Sequence, residues 1–237
     1  MSIRLRYMAR AVCLCLCSLA LPATATIVTV AGDTVIFQWD TNNVDPLYGT
    51  PSVVGDSIFV TPTDFKALSE NTDGSVTVSG TGTIQIIAKA GYVLDGINFG
   101  EAGDYRMTAG ADSVDVNPWL RVFDWNNPVP TLGTEETMNV PVSGDLTIKD
   151  GNLHDWSASG NFDLTTTTWD GINNVGLTLQ NTLTAVSTAL GESALIQKKA
   201  VGSSISVSTS LVPVPAALWL FGSGLLGLVG IARRKKA

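Results

Sequence analysis

The middle of the chain alternates apolar and polar residues with a period of two, which is the pattern of a strand with one buried face and one polar face. The alternation recurs in residues 34–39, 75–79, 83–86, 145–148, 161–165 and 176–180. Asp-Gly pairs at 73–74, 95–96, 150–151 and 170–171 supply turns between such runs. No long helical period competes with this pattern. The sequence therefore predicts an all-β domain, an antiparallel β-sandwich of jelly-roll-like form, over residues 26–211.

Three further segments of this domain carry weaker signals. Residues 114–116 alternate and predict a strand. Residues 201–210 are rich in Gly, Ser and Thr and also alternate, so they are either a last strand or a flexible spacer, and the alternation favours the strand. Residues 91–105 contain four glycines and are predicted to form a hairpin or meander with tight turns at those glycines.

The first 25 residues have the features of a secretory signal peptide. Three arginines precede an apolar run at residues 11–21, and Pro22 ends the run. Ala23 and Ala25 then form the small-x-small pattern of a cleavage site. The run is too short to span a bilayer comfortably. We therefore predict export through the Sec machinery and cleavage by signal peptidase after Ala25.

Cysteine content and charge exclude several classes of function. All three cysteines, at positions 13, 15 and 17, lie inside the predicted signal peptide. The exported chain would thus have no disulfide, no Cys-liganded metal and no Cys nucleophile. Three of the 14 basic residues lie in the signal peptide and four at the C-terminal end, so seven face all 21 acidic residues in between. A domain this acidic repels polyphosphate, which excludes nucleic acid as a partner.

The C-terminal end has the features of a membrane anchor. Residues 214–232 are nineteen residues without a charge. At about 1.5 Å per residue, a helix of this length just crosses a hydrocarbon core of roughly 30 Å. Arg233, Arg234, Lys235 and Lys236 follow at once and form a membrane stop that stays in the cytoplasm. The sequence predicts a transmembrane helix at 214–232, with the β domain on the non-cytoplasmic side.

The same segment resembles the PEP-CTERM protein-sorting tail, in which a short proline motif precedes a membrane helix and a basic cluster. The matching proline motif is Val212, Pro213, Val214, Pro215 and Ala216, and the tail comprises residues 212–237. Val214 stands where the name-giving motif has Glu. The resemblance implies that an exosortase, a membrane cysteine peptidase, processes the tail in a Gram-negative bacterium that produces exopolysaccharide. It also implies transient anchoring in the inner membrane, followed by transfer to the cell surface or the extracellular matrix.

Three short segments place a Trp at the end of a predicted strand, followed by an Asp/Asn turn. The tryptophans are Trp39, Trp125 and Trp169. An indole ring can stack on a sugar while Asn and Asp bind hydroxyl groups, so the three are candidates for glycan contact. The alternative is that each Trp anchors a strand end in the core above a turn, and this alternative needs no ligand.

Acidic loops suggest calcium as a ligand of such an exported domain. Two clusters of oxygen ligands are candidates: Asp112, Asp115 and Asn117, and Asp40, Asn42 and Asp45. Neither has the spacing of an EF-hand, and solvated acidic loops explain them equally simply. The prediction is therefore a domain without a cofactor, in which calcium stays an open alternative.

The sequence gives little support for catalysis. His154 is the single histidine, and the chain has no Gly-x-Ser-x-Gly nucleophile motif around which it could form a triad. Glu135 and Glu136 are adjacent, and neighbouring residues of a strand face opposite ways, so they are a poor acid/base pair. We therefore do not expect an enzyme.

These features together predict an exported surface or extracellular-matrix protein that is sorted by an exosortase. Its expected role is structural or adhesive, in an exopolysaccharide or biofilm layer, with the polysaccharide as a further partner. Two alternatives stay open. The first is a membrane-anchored periplasmic β domain, if Val214 prevents processing, and the second is a secreted carbohydrate-active enzyme.

Overall fold

The computed structural model describes residues 26–129, 133–199 and 203–212, and beyond these Phe221 alone. The predicted signal peptide at 1–25 lies outside the described residues. The predicted transmembrane helix at 214–232 and the basic cluster at 233–236 also lie outside them, except for Phe221. In the part of the chain that the structure describes, no helix has the length and apolarity needed to cross a membrane.

The described residues form β-strands joined by turns and by two single-turn 3-10 helices, Pro46–Tyr48 and Thr167–Trp169. The strands are β1 (Ile27–Ala31), β2 (Val35–Asp40), β3 (Ser52–Val54), β4 (Ser57–Val60), β5 (Lys66–Glu70), β6 (Gly74–Ala88), β7 (Tyr92–Met107), β8 (Ser113–Asp124), β9 (Glu135–Asn139), β10 (Val142–Ser143), β11 (His154–Asp163), β12 (Asn174–Ser187), β13 (Ser193–Lys198) and β14 (Ser203–Leu211).

These strands build two antiparallel sheets. The first has the order β1-β2-β6-β12-β8-β9, and the second has the order β10-β11-β7-β14-β4-β3. Strand β13 pairs with the last third of β7 and with β5, which extends the second sheet. The all-β, antiparallel prediction is confirmed, and the last strand predicted at 201–210 is β14.

The centre of the first sheet is the long pair β6 and β12, and it shows why alternation produces two faces. Ile84 and Ile86 point inward and are buried, whereas Thr83 and Gln85, which alternate with them, lie on the outer face. Thr83 is opposite Thr178 of β12, and their hydroxyls are 2.9 Å apart. The outer face is therefore a polar surface whose hydroxyl and amide side chains hydrogen-bond across strands.

One hydrophobic cluster joins the inner faces of both sheets. It includes Phe37 and Leu177 from the first sheet and Ile97, Trp156 and Phe162 from the second, each at most 2% exposed. Burial of each such side chain contributes about 1.5–3 kcal/mol, which is the main term that holds the sheets together.

Residues 91–105, predicted as a hairpin or meander, instead lie almost entirely in one uninterrupted strand, β7. The prediction was wrong because glycines were taken as turns. Gly103 is needed for a different reason: a Cβ there would lie 2.3 Å from the Trp156 ring and 2.2 Å from the Gln197 carbonyl oxygen. This glycine makes room for the largest core side chain rather than for a turn.

The strand predicted at 145–148 is also wrong, because these residues form a turn. Asp145 Oδ1 accepts hydrogen bonds from the Thr147 backbone N–H at 2.9 Å and from its hydroxyl at 2.5 Å. An Asp that bonds two residues ahead favours a turn over a strand, and this local bond overrides the alternating pattern.

Substitution of Gly103 by Ala should destabilise the domain by about 1–3 kcal/mol, because the new methyl group overlaps Trp156 and a backbone carbonyl. Urea unfolding of the wild type and the variant measures the difference. Gly100→Ala is the matched control: it lies on the same strand and a Cβ there meets nothing within 4 Å. Equal losses at the two positions would contradict the packing role of Gly103.

Candidate functional site

The three tryptophans predicted as candidates for glycan contact differ in exposure. Trp39 at the end of β2 is 6% exposed, and Trp169 at the end of its 3-10 helix is 4% exposed. Both belong to the core cluster. Trp125, which follows β8, is 37% exposed. Of the three, Trp125 alone offers substantial ring surface to a ligand.

The Asp and Asn residues beside these tryptophans build the turns. Asp40 Oδ1 accepts from the Asn42 backbone N–H at 2.9 Å, and Asp124 Oδ1 accepts from that of Asn126 at the same distance. Asp124 Oδ2 also accepts from Asn127 Nδ2 at 3.0 Å. The shared Trp/Asp/Asn pattern thus serves turn formation at two of the three positions.

Trp125 is part of an aromatic platform on the outer face of the first sheet. Its ring stacks on Phe123, with centroids 5.9 Å apart and planes at 23°. The Arg121 guanidinium carbon lies 4.4 Å from the centroid of the Phe123 ring. Gly176 of β12 makes this arrangement possible, since a Cβ there would lie 2.2 Å from the Phe123 ring. Phe123 therefore lies flat on the sheet and supports Trp125 from below.

Glu135 of β9 fixes the arginine of this platform. Its Oε2 accepts from Arg121 Nε at 2.7 Å and lies 2.6 Å from Arg121 Nη2. Because Glu135 and Arg121 are both about three-quarters buried, the pair holds the guanidinium in place over Phe123.

A groove of about 120 Å³ runs beside Trp125. Its polar lining comes from β2, β6 and the turn after β2: Gln38, Asp40, Asn43, Thr83 and Gln85. Gln85 of this lining begins a chain of amide hydrogen bonds: its Nε2 donates to Asn174 Oδ1 at 2.9 Å, and Asn174 Nδ2 donates to Asn126 Oδ1 at 3.4 Å. Trp39 and Ile27 complete the groove. It combines an exposed aromatic ring with amides and a hydroxyl, which is suited to a sugar ring.

Trp119 is a member of this face that sequence reasoning missed. It lies on β8 two residues before Arg121, on the same outer face, and is half-buried. The alternation of β8 could have revealed it, because positions 119, 121 and 123 share a face once residues 113–124 are recognised as one strand.

A larger groove of about 820 Å³ lies near Trp169, between the β6–β7 turn and the loop before β12. Its lining includes Leu94, Thr165, Asn173 and Val212, the residue at which the predicted sorting tail begins. Because Trp169 is almost fully buried, its ring offers little stacking surface there.

The two predicted calcium clusters have hydrogen-bonding roles within the protein. Asp112 Oδ2 accepts from the Thr188 backbone N–H at 2.8 Å, and Asp45 Oδ1 accepts from that of Leu47 at 2.9 Å, capping a 3-10 helix. Asp115 accepts from Asn117 Nδ2. Among the residues that the structure describes, no three His, Cys, Asp or Glu side chains group closely enough to hold a metal ion.

His154 and its partner Asp150 form a surface contact. His154 Nε2 lies 2.9 Å from Asp150 Oδ1, and the His154 ring lies 5.5 Å from that of Tyr105. Hydrogen bonds from His154 and Asn152 hold the pKa of the Asp150 carboxyl well below its ordinary value.

No curated protein sequence is significantly similar to this chain. Two similar solved structures are "Structure of infectious bursal disease virus Gx strain" (11% identity, TM-score 0.28, 76% of this chain and 49% of that chain) and "Crystal structure of infectious bursal disease virus VP2 subviral particle" (12% identity, TM-score 0.27, 83% and 50%). This chain thus spans about half the length of those viral chains. TM-scores this low do not establish a shared fold.

Residues 211–236 match the family model of the PEP-CTERM protein-sorting motif. The match covers the proline motif from Val212 to Ala216, the uncharged span and the basic cluster, and it confirms the resemblance of this segment. The motif implies an exported protein with a membrane-anchored sorting signal that an exosortase processes. By this match the chain carries a PEP-CTERM protein-sorting motif at residues 211–236.

Proposed function

We propose that the β domain has a structural or adhesive, non-enzymatic role in an exopolysaccharide layer outside the cell, and that the Trp125 face is its contact surface for glycan. The observation that carries the adhesive part is the exposed Trp125 ring, supported by Phe123 and bordered by the amides of Gln85, Asn174 and Asn126. The sorting motif supports the destination, since it implies export.

The chemistry of the face favours uncharged sugars. Side chains at the centre of the sheet's outer face are mainly Thr, Ser, Gln and Asn, which exchange hydrogen bonds readily with hydroxyl groups. Between the predicted signal peptide and the basic cluster, 21 acidic residues face seven basic ones. A strongly anionic polysaccharide would be repelled at long range by this charge. A neutral glycan stacked on Trp125 avoids that cost.

A second candidate is a periplasmic β domain that stays anchored by its tail. The observation that favours it is Val214, which stands in the place of the motif's Glu. A secreted carbohydrate-active enzyme is a third candidate, with less support, because His154 and Glu135 are both engaged in contacts with neighbouring side chains.

Trp125→Ala should weaken binding to exopolysaccharide isolated from the producing bacterium about two- to twelvefold, since stacking on one aromatic ring contributes about 0.5–1.5 kcal/mol. Titration calorimetry or a sedimentation assay with the full exported protein measures this change.

Phe59→Ala is the matched control. Phe59 is 38% exposed, nearly the same as the 37% of Trp125, but it lies on β4 of the other sheet. Its affinity should equal that of the wild type. Equal affinity of the Trp125 variant would exclude this face as the contact surface, and no binding by the wild type would leave only the structural role.

A further inference from the structure

Three polar side chains meet in the core between the two sheets, at positions where alternation places apolar residues. Asn181 stands on β12 between Leu179 and Leu183, and is itself fully buried. Glu101 lies on the inner face of β7, and Lys198 ends β13 two residues after the buried Ile196. The side chains of Lys198 and Glu101 are both 0% exposed.

Glu101 Oε2 accepts hydrogen bonds from both Lys198 and Asn181. Lys198 Nζ lies 2.5 Å from Glu101 Oε2, and Asn181 Nδ2 lies 2.7 Å from the same oxygen and 2.7 Å from Oε1. The Asn181 carbonyl oxygen Oδ1 is buried and makes no hydrogen bond within the described structure. The amine and the side-chain amide are thus held side by side on a single acid.

Aromatic rings enclose the amine. Lys198 Nζ lies 5.0 Å from the centroid of the Tyr48 ring and 5.4 Å from that of Phe65. The Tyr48 hydroxyl donates to the Gly80 carbonyl at 3.0 Å, so it is engaged elsewhere. Burial lowers the pKa of the Lys198 ammonium, although the Glu101 carboxylate opposes the shift. A desolvated lysine amine is a nucleophile in its neutral form.

A buried ion pair is an unusual device for stability, because desolvation of two charges offsets most of their attraction. Apolar side chains of the same volume would serve the core equally well or better. The cluster has a chemical use that apolar residues cannot have: it holds an amine and a side-chain amide on the same acid.

We propose that Lys198 and Asn181 react to form an intramolecular amide bond, with Glu101 as the proton-transfer group and ammonia as the leaving group. The product joins β12 of the first sheet to β13 of the second sheet by a covalent bond.

The step balances without any further reactant. The proton that Lys198 and Glu101 share moves from Nζ to Oε2, giving a neutral amine and a carboxylic acid. The amine attacks Asn181 Cγ and forms a C–N bond. Glu101 protonates Nδ2, which leaves as ammonia as its C–N bond breaks, and the carboxylate then takes one proton from Nζ. The amide is complete and Glu101 is protonated again.

The mass of the protein tests the proposal directly. Loss of ammonia lowers the intact mass by about 17 Da relative to the mass calculated from the mature sequence. Peptide mapping defines the two ends of that mature sequence. After proteolysis, residues 181 and 198 should be recovered in one branched peptide. The measurement uses the exported protein as purified, after denaturation, so that only a covalent link survives.

Variants separate the chemistry from the fold. Neither Lys198→Arg nor Glu101→Gln should show the mass loss. In the first, guanidinium is a poor nucleophile, and in the second the proton-transfer group is absent. Lys199→Arg is the matched control, since Lys199 is next in the chain and pairs with Asp155 at the surface, and it should keep the loss. A folded wild-type protein without the mass loss would overturn the proposal, and this result does not depend on the stability of any variant. Persistence of the mass loss in Lys198→Arg would overturn it too.

Discussion

In cells that lack the exosortase, the protein should remain at the inner membrane with its tail intact, whereas wild-type cells should contain a surface form without most of residues 213–237. The reason is the cost of extraction. A span of nineteen uncharged residues followed by four cations does not leave a bilayer unless the chain is cut before the span. The sequence predicts that Pro213 and Pro215 disfavour a helix in the residues that precede them, which would leave this segment accessible to a peptidase.

Cell fractionation and intact-mass measurement of both strains decide this prediction. Replacement of Pro213 and Pro215 by Ala in the exosortase-positive strain provides a matched variant, which should accumulate at the membrane as the deletion strain does. Full-length protein at the inner membrane of both strains would contradict processing and would favour the anchored periplasmic alternative.

Loss of the Lys198 amine alone should destabilise the core more than loss of the amine together with the Glu101 charge. Lys198→Met leaves the Glu101 carboxylate in the core without a counter-charge. Lys198→Met combined with Glu101→Gln removes that charge and keeps an acceptor for Asn181 Nδ2. Because a buried unpaired charge is far costlier than a neutral amide, the double variant should be more stable than the single one by about 3 kcal/mol.

Both variants lack the amine, so neither can form the proposed amide bond, and their difference reports the unpaired charge alone. Denaturant unfolding measures it. Lys199→Met provides the comparison with a surface pair, since Lys199 and Asp155 are 39% and 79% exposed, and it should change stability by no more than about 0.5 kcal/mol. Equal stability of the single and double Lys198 variants would mean that Glu101 is not held as an unpaired charge.

The class of the fold could be predicted because the pattern that determines it is local. Alternation at residues 83–86 and 176–180 reflects one buried face per strand, and both runs lie in the central strands β6 and β12. The errors arose where a residue type has two uses. A glycine in β7 accommodates a distant Trp156 ring, and nothing near Gly103 in the sequence distinguishes that use from a turn.

The candidate sites could be predicted only in part. Trp125 was identified by its turn, whereas its support by Phe123 and Gly176 depends on the pairing of β8 with β12. Glu101, Asn181 and Lys198 each break an apolar pattern, and that break is visible in the sequence. The contact among the three side chains is not visible in the sequence, because it depends on β7 and β13 packing against β12 from the opposite sheet.

The position of β14 has a mechanical consequence for a protein held by its C-terminal end. This strand ends at Leu211, one residue before the proline motif, and lies inside its sheet between β7 and β4. A pull on the tail would therefore load the ladder to β7 along Ser204–Leu211 in shear, with many hydrogen bonds resisting together, instead of peeling an edge strand away bond by bond. With the membrane span predicted at 214–232, β14 would be the last strand to cross the membrane during export, so the second sheet would be completed only shortly before the sorting signal reaches the bilayer.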